Sequence, residues 1–310
     1  MSSTDHSNDN IIGHLFAVFP VMAWGTSFLV SKNLLAVLTP IQLMWLRFVI
    51  AYIALWIIHP VWYFQWRDEL RFLAMAVAAN TLYFYTENTA LTLTQATNVS
   101  ILVSTAPILS AILLSLSRKK EVLSRQQKTG YGVAFIGVVF VVLNGALVLH
   151  LRPAGDLLAL ASAMSWAVYN LFARNMLERF DSFLVSRKLM LYGIISAFPM
   201  VLAEGQKIQL SAIMSPEGIA SLFYLGIICS AVCFVLWNSA IARIGTLKTN
   251  LYIYAVPLVT MLAGVLLQRE KVTGMGLLGI ALVVGGMVLS NLDKSYAVSM
   301  KIVPKGEVDR

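Results

Sequence analysis

Charge is what this sequence has least of. Only 12 % of its 310 residues are Asp, Glu, Lys or Arg, while 58 % are hydrophobic; soluble domains carry about twice that charged fraction. This balance argues against a water-soluble enzyme or a nucleic-acid-binding domain. Cysteine is scarce too. Cys229 and Cys233 are the two present; they lie four apart on one predicted helix, too far along its axis to bond without distortion, and read as small core residues. The histidines, His6, His14, His59 and His150, are scattered without metal-ligand spacing. No Gly-x-x-x-x-Gly-Lys-[Ser/Thr] phosphate loop occurs, so the sequence offers no support for a primary energy source. No nucleophile stands near a base at readable spacing, which argues against an intramembrane enzyme. No basic segment with a cleavage site precedes Lys32, so the first apolar run is expected to persist rather than be removed.

What the chain does have is apolar blocks, each about 20 residues long, the length that crosses a bilayer. Charge, Pro and Gly divide it into ten expected spans: about 11–31, 40–58, 69–91, 95–116, 128–149, 154–175, 183–203, 217–242, 247–267 and 273–291. With ten spans both termini share one side. Of the 23 Lys and Arg residues, 17 fall on that side, five on the other and Arg47 within a span. Short cytoplasmic loops carry such an excess, so both termini are expected in the cytoplasm. The net charge of +8 is thus read as a topology signal, with no nucleic acid as partner.

The stretch YFYTENTALTL at Tyr83–Leu93 returns in altered form at FVLWNSAIARI, from Phe234. Laying Phe84–Ile108 over Phe234–Leu258 pairs Phe84 with Phe234, Asn88 with Asn238, Ala90 with Ala240 and Pro107 with Pro257. Upstream, Trp24, Leu29, Asn33 and Leu35 meet Trp166, Leu171, Asn175 and Leu177. Downstream, Glu121, Ser124, Gly130 and Gly137 meet Glu270, Thr273, Gly279 and Gly286. Three matches in the same order imply a duplication. Each copy spans five helices, an odd number, so the second enters the membrane inverted, the architecture of alternating-access transporters.

Two halves that each carry a Trp in the first helix, an Asn-[Ser/Thr]-Ala, a mid-helix Pro and a Glu-x-x-[Ser/Thr] opening the last helix resemble the drug/metabolite transporter superfamily, specifically its EamA-type exporters. The resemblance covers about residues 11–291. It implies an all-α integral membrane fold: ten transmembrane helices, as two inverted five-helix repeats, around a central cavity lined mainly by the first, third, fourth, sixth, eighth and ninth. Residues 1–10 would form a cytoplasmic segment, 11–149 the first repeat, 150–291 the second and 292–310 a cytoplasmic tail. It further implies export of small metabolites, often amino acids, from the bacterial cytoplasm, and the aromatic-rich cavity is most similar to exporters of the aromatic-amino-acid type. The superfamily also carries drugs, sugar phosphates and nucleotide sugars.

Candidate cavity residues follow from helical spacing, because polar atoms facing lipid have no partners. Ser100, Ser104 and Pro107 share one face of the fourth span, and their counterparts Asn250, Tyr254 and Pro257 share one face of the ninth. Asn80, Tyr83 and Glu87 form a polar stripe on the third. Trp24 and Ser27 come from the first, Trp166, Tyr169 and Asn170 from the sixth, Trp237 and Asn238 from the eighth. Asn88 and Asn238 equally suit tying neighbouring helices together, and Tyr63 and Tyr131 read as interface aromatics. Pro107 and Pro257 break the helical hydrogen-bond pattern and suit hinges. Three readings of Glu87 stand side by side: an ion pair with Arg47, a holder of a substrate ammonium group, or a titrating coupling group. No Lys or Arg is expected on the cavity stripes, which disfavours a phosphate-bearing substrate.

The expectation is therefore a secondary transporter, not an enzyme, exporting small amphipathic metabolites, amino acids first among them, across the bacterial inner membrane by alternating access. Multidrug or cationic-drug efflux is the runner-up; an intramembrane enzyme or a receptor ranks lower. No cofactor or metal is expected. The expected partners are amino acids or related metabolites and membrane lipid, with a monomer as one admissible state.

Overall fold

The computed structural model describes residues 3–94, 96–117, 123–143, 152–205, 213–268 and 273–292, and every regular element among them is a helix. In an apolar medium a helix satisfies its own backbone polar groups, which is why long apolar runs fold this way. The first half comprises α1 (Ser3–Leu34), α2 (Pro40–Ile58), α3 (Trp66–Ala76), a π-helical segment Val77–Leu82 that continues into α4 (Tyr83–Leu93), α5 (Ala96–Val103), α6 (Ala106–Leu116) and α7 (Arg125–Leu143). The second half comprises α8 (Pro153–Leu177), α9 (Ser182–Glu204), α10 (Pro216–Phe223), a second π segment Tyr224–Val232 leading into α11 (Cys233–Ile244), α12 (Thr246–Leu251), a 3₁₀ turn Tyr252–Ala255, α13 (Val256–Gln268) and α14 (Gly274–Asn291).

Helix starts are chemically marked. Thr39 and Gln42 form a reciprocal capping box on α2, and Asp181, Ser215 and Thr273 cap α9, α10 and α14. Gly245, at φ 85°, turns the chain between α11 and α12 in a conformation that a side chain would strain.

Among the described residues, seven helices are long and apolar enough to cross a membrane: Asn10–Leu34, Pro40–Ile58, Arg125–Leu143, Pro153–Leu177, Ser182–Glu204, Pro216–Ile244 and Gly274–Asn291. The other three expected spans fall short for local reasons. Trp66–Leu93 is long but opens on the charged sequence WRDELR. The fourth breaks at a turn, Ser104–Thr105, and the ninth at its 3₁₀ segment. Large apolar side chains such as Ile57, Leu116 and Leu266 stay exposed on the outside of the bundle, as a lipid-facing surface requires.

Contacts between helices come in pairs related by exchanging the halves. α1 packs on α11 and α13, while α8 packs on α4 and α6. α2 lies along the segment Tyr224–Val232, and α9 along Val77–Leu82. α2 packs on α9, and α7 on α14. At this last interface the backbones nearly touch. A Cβ on Gly130 would lie 2.6 Å from the Gly286 carbonyl oxygen, and one on Gly137 would lie 2.5 Å from the Val283 nitrogen and 2.8 Å from the Gly279 oxygen. Since higher numbers on α7 meet lower ones on α14, the two run antiparallel. Tyr131, expected at a membrane interface, is instead buried here, its hydroxyl donating to the Leu247 carbonyl at 2.6 Å.

An ionic clasp joins the halves where α3 begins. Asp68, almost wholly covered, accepts from both terminal nitrogens of Arg179 at 2.6 and 2.8 Å, from Tyr63 at 2.7 Å and from Arg71 at 3.0 Å. Glu69 accepts from Lys188 at 2.7 Å and Tyr192 at 2.6 Å, and Arg187 donates to the carbonyls of His59 and Val61. Arg179 holds the Asp68 carboxyl below the ordinary range. Burial, with the hydrogen bond to Asp68, pushes the Tyr63 phenol up to about 12.

Candidate functional site

Between the halves lies a cavity with an empty volume of about 760 Å³, its open mouth included. The first half lines it with Trp24, Ser27, Phe28 and Ser31 of α1, Arg47 of α2, Tyr83, Phe84, Glu87 and Leu91 of α4, and Val103, Ser104 and Ala106 at the break between α5 and α6. The second contributes Trp166 of α8, Phe234 of α11, and Ile253 and Val256 around the 3₁₀ turn. On α1, and on the continuous helix from Trp66 to Leu93, these are residues of the C-terminal halves, so the cavity occupies the end of the bundle away from the start of α1.

Aromatic rings close its inner side. The Trp24 and Trp166 rings meet edge to face at 5.6 Å; Trp24 lies 5.1 Å from Trp237, and Trp166 lies 5.3 Å from Tyr83 and 4.9 Å from Tyr169. Such tilted and edge-to-face contacts suit the ring quadrupoles. Trp24 is fixed further by its indole N–H, which donates to the Cys229 carbonyl at 2.9 Å. Cys229 and Cys233 are free and buried.

Two charged side chains face this aromatic space. Arg47 is 2 % exposed; its Nε donates to Ser230 Oγ at 3.3 Å and its guanidinium carbon lies 4.5 Å from the Phe84 ring centroid. Glu87 is 7 % exposed, and its Oε1 accepts from the Tyr83 hydroxyl at 2.7 Å. The two were a candidate ion pair, yet no guanidinium nitrogen comes within 4.0 Å of the carboxylate; Arg71, Arg174, Arg179 and Lys188 supply the ion pairs found among the described residues. Arg47 also overturns the expectation that no basic residue reaches the cavity. A guanidinium that stacks on a ring has no need to reach outward to water.

The remaining candidates pack behind the aromatic layer. Asn250 Oδ1 accepts from Trp166 Nε1 at 3.1 Å and from Asn170 Nδ2 at 3.0 Å, and Asn170 Nδ2 also donates to Ser110 at 3.1 Å. Tyr169 donates to Asn238 Oδ1 at 2.6 Å, and Asn238 Nδ2 to Ser186 at 2.9 Å. Asn80 donates to the Leu189 carbonyl at 2.9 Å. Asn80, Tyr169, Asn170, Trp237, Asn238, Asn250 and Tyr254 are fully buried and do not line the cavity. Of the expected residues, the structure brings Trp24, Ser27, Tyr83, Glu87, Ser104 and Trp166 to its wall; the side chain of Ser100 lies outside the described residues. Pro107 and Pro257 each stand two residues past a helical irregularity, in the first turns of α6 and α13.

Sequence periodicity passes over Phe28, Ser31, Phe84 and Phe234. For α1 the signal was available, since Trp24, Ser27, Phe28 and Ser31 fall at i, i+3, i+4 and i+7 on one face. Phe84 and Phe234 had been paired as repeated positions, yet nothing in their spacing separated cavity wall from helix packing.

The profile of the EamA-like transporter family matches residues 11–143 and 153–292. An "Uncharacterized transporter" of Archaeoglobus fulgidus is 28 % identical over 89 % of this chain and 96 % of its own length. A protein of Escherichia coli K12 named "Probable amino-acid metabolite efflux pump" is 24 % identical over 93 % of this chain and 97 % of its own. One of Streptantibioticus cattleyicolor named "Probable terminal-alkyne amino-acid exporter" is 27 % identical over 62 % and 63 %. A solved crystal structure superposes with a TM-score of 0.73 at 20 % identity, covering 92 % of this chain and 98 % of that one, which shows a shared fold. With both halves matched by one profile, and with helices from both enclosing the cavity, the chain belongs to the EamA-like transporter family.

Proposed function

We propose that the protein is a secondary transporter that exports small amphipathic metabolites, amino acids first among them, across the bacterial inner membrane by alternating access. The observation that carries this reading is the cavity itself, walled by helices of both halves and lined by aromatic rings with one carboxylate and one guanidinium. The names of the Escherichia coli and Streptantibioticus relatives point to amino-acid metabolites as cargo. The guanidinium speaks against bulky cationic drugs, which a site with the carboxylate alone would suit better.

The proposal includes ten spans in two inverted repeats. Supporting it are the helix contacts that recur when the halves are exchanged, the antiparallel α7 and α14, and the irregularities at matching places: π segments in the third and eighth spans, breaks before Pro107 and Pro257. With the termini cytoplasmic, as the excess of basic residues on that side suggests, the cavity lies in the outer half and the clasp around Asp68 closes the inner end. Pro107 and Pro257 are then the hinges. Trp24, Ser27, Tyr83, Glu87, Ser104 and Trp166 contact the substrate.

Purified protein in liposomes, loaded with labelled amino acids, tests this. Amino acids are expected to cross only vesicles that contain the protein, faster than quaternary ammonium drugs, and Pro107→Ala is expected to slow the crossing while binding persists. Transport of drug cations alone would overturn the substrate class; an unaltered Pro107→Ala rate would remove the hinge.

A further inference from the structure

The two charges in the cavity stand apart, and neither is fully paired among the described residues. Arg47 engages Ser230 through Nε and Phe84 through its face, while its two terminal nitrogens have no acceptor among the described residues. Glu87 has one oxygen on Tyr83 and, among the described residues, no hydrogen-bond partner on the other. Arginine stays protonated in any protein setting, and a buried charge without partners is costly. Pairing the two directly would remove much of that cost, yet they are not within 4.0 Å of each other although both face the same space. Oppositely charged groups held apart in an aromatic-lined cavity form a receptor for a ligand that carries both complementary charges.

Resting on the amino-acid reading above, we propose that Arg47 and Glu87 are the two poles of a zwitterion site: Arg47 takes the α-carboxylate and Glu87 the α-ammonium group of one substrate molecule. Terminal guanidinium nitrogens match a carboxylate in a forked geometry. Tyr83 orients Glu87 through its 2.7 Å hydrogen bond, and the Trp166 ring, 5.3 Å from that of Tyr83, offers a face to the ammonium group. Phe28 and Phe234 are left to cover an apolar side chain. The substrates are therefore α-amino acids with both backbone groups free and a large apolar side chain; an amine or a carboxylic acid satisfies one pole and strands the other.

The test measures binding of L-leucine, 3-methylbutylamine and 4-methylpentanoate to the purified full chain, alongside transport of leucine in liposomes. The wild type is expected to bind leucine about tenfold or more tightly than either half-ligand, since each lacks one charge-assisted contact. Glu87→Gln is expected to weaken leucine and the amine alike and to leave the acid unchanged; Arg47→Gln is expected to do the reverse. Half-ligands that bind as well as leucine to the wild type overturn the site without recourse to a variant, so a poorly folding Arg47→Gln does not decide the matter. If leucine is transported but Glu87→Gln weakens amine and acid equally, the zwitterion site fails and the exporter reading stands. If no amino acid binds or moves, both fall.

Discussion

At Asn250 a single amide serves three neighbours. Its Oδ1 accepts from Trp166 and Asn170, and its Nδ2 donates to the Thr246 carbonyl at 3.0 Å. Asn250→Leu keeps roughly the volume but leaves the Trp166 indole N–H without an acceptor and Asn170 Nδ2 with Ser110 alone, two buried bonds lost. In water-soluble proteins each would cost about 1–3 kcal/mol; interhelical bonds in membranes average about 0.6 kcal/mol, and this lower figure governs here. A loss of about 1–2 kcal/mol is expected, read as a lower unfolding midpoint in detergent; a midpoint equal to wild type would show that the amide is not a fastening point. This asparagine also shows where sequence reading reached its limit. It was placed with Tyr254 on a cavity face by α-helical spacing, but the 3₁₀ turn at Tyr252–Ala255 winds tighter and brings Ile253 and Val256 to the wall instead. In the third span the π segment Val77–Leu82 winds looser, so Asn80 turns to α9 while Tyr83 and Glu87 face the cavity. One stripe in the sequence became two faces in the structure.

At the scale of elements, Gly130, Gly137, Gly279 and Gly286 were legible as repeated positions but not as a seam; the structure packs α7 on α14 through them, as small residues let membrane helices approach closely. The structure adds how close. Gly137→Ala places a methyl group 2.5 Å from the backbone nitrogen of Val283, and backbone cannot step aside as a flexible side chain can. The helices must separate, at a cost of about 1–3 kcal/mol. Gly132, on the same helix, would meet nothing within 4 Å, so Gly132→Ala is expected to be neutral or slightly stabilising through helix propensity. Thermal unfolding of the two variants side by side checks this; equal midpoints would mean that the seam is softer than its geometry implies. Pro107 and Pro257 were read as breaking the helical pattern, and a turn at Ser104–Thr105 and the 3₁₀ turn Tyr252–Ala255 stand just before them; the π segments of the third and eighth spans were not readable, since a π segment has no composition of its own.

On the scale of the whole molecule, the clasp is what ties the halves together at the end remote from the cavity. It was hidden in the sequence because basic residues near span ends were read as topology signals, and three of them, Arg179, Arg187 and Lys188, also reach across to the segment from His59 to Glu69. Arg179 lowers the Asp68 pKa on folding. The sign follows from linkage: a carboxyl whose folded pKa is depressed contributes stability in full above its unfolded value, and loses it as pH falls through the folded value. Wild-type stability should therefore decline between about pH 5 and pH 2, with a part of that decline due to Asp68. Asp68→Asn removes the titrating group and leaves a side chain that still accepts hydrogen bonds. It is expected to lower the midpoint at neutral pH and to flatten the acid decline, because the variant has less to lose there. Other carboxyls titrate in the same window and contribute equally to both proteins, so the difference in slope isolates Asp68. If closing this end is what keeps the cavity on the opposite one, Asp68→Asn should also expose a cysteine placed at Ser186, now buried beside Asn238, to a water-soluble thiol reagent; equal labelling and parallel acid slopes would leave the clasp no part in holding the halves closed.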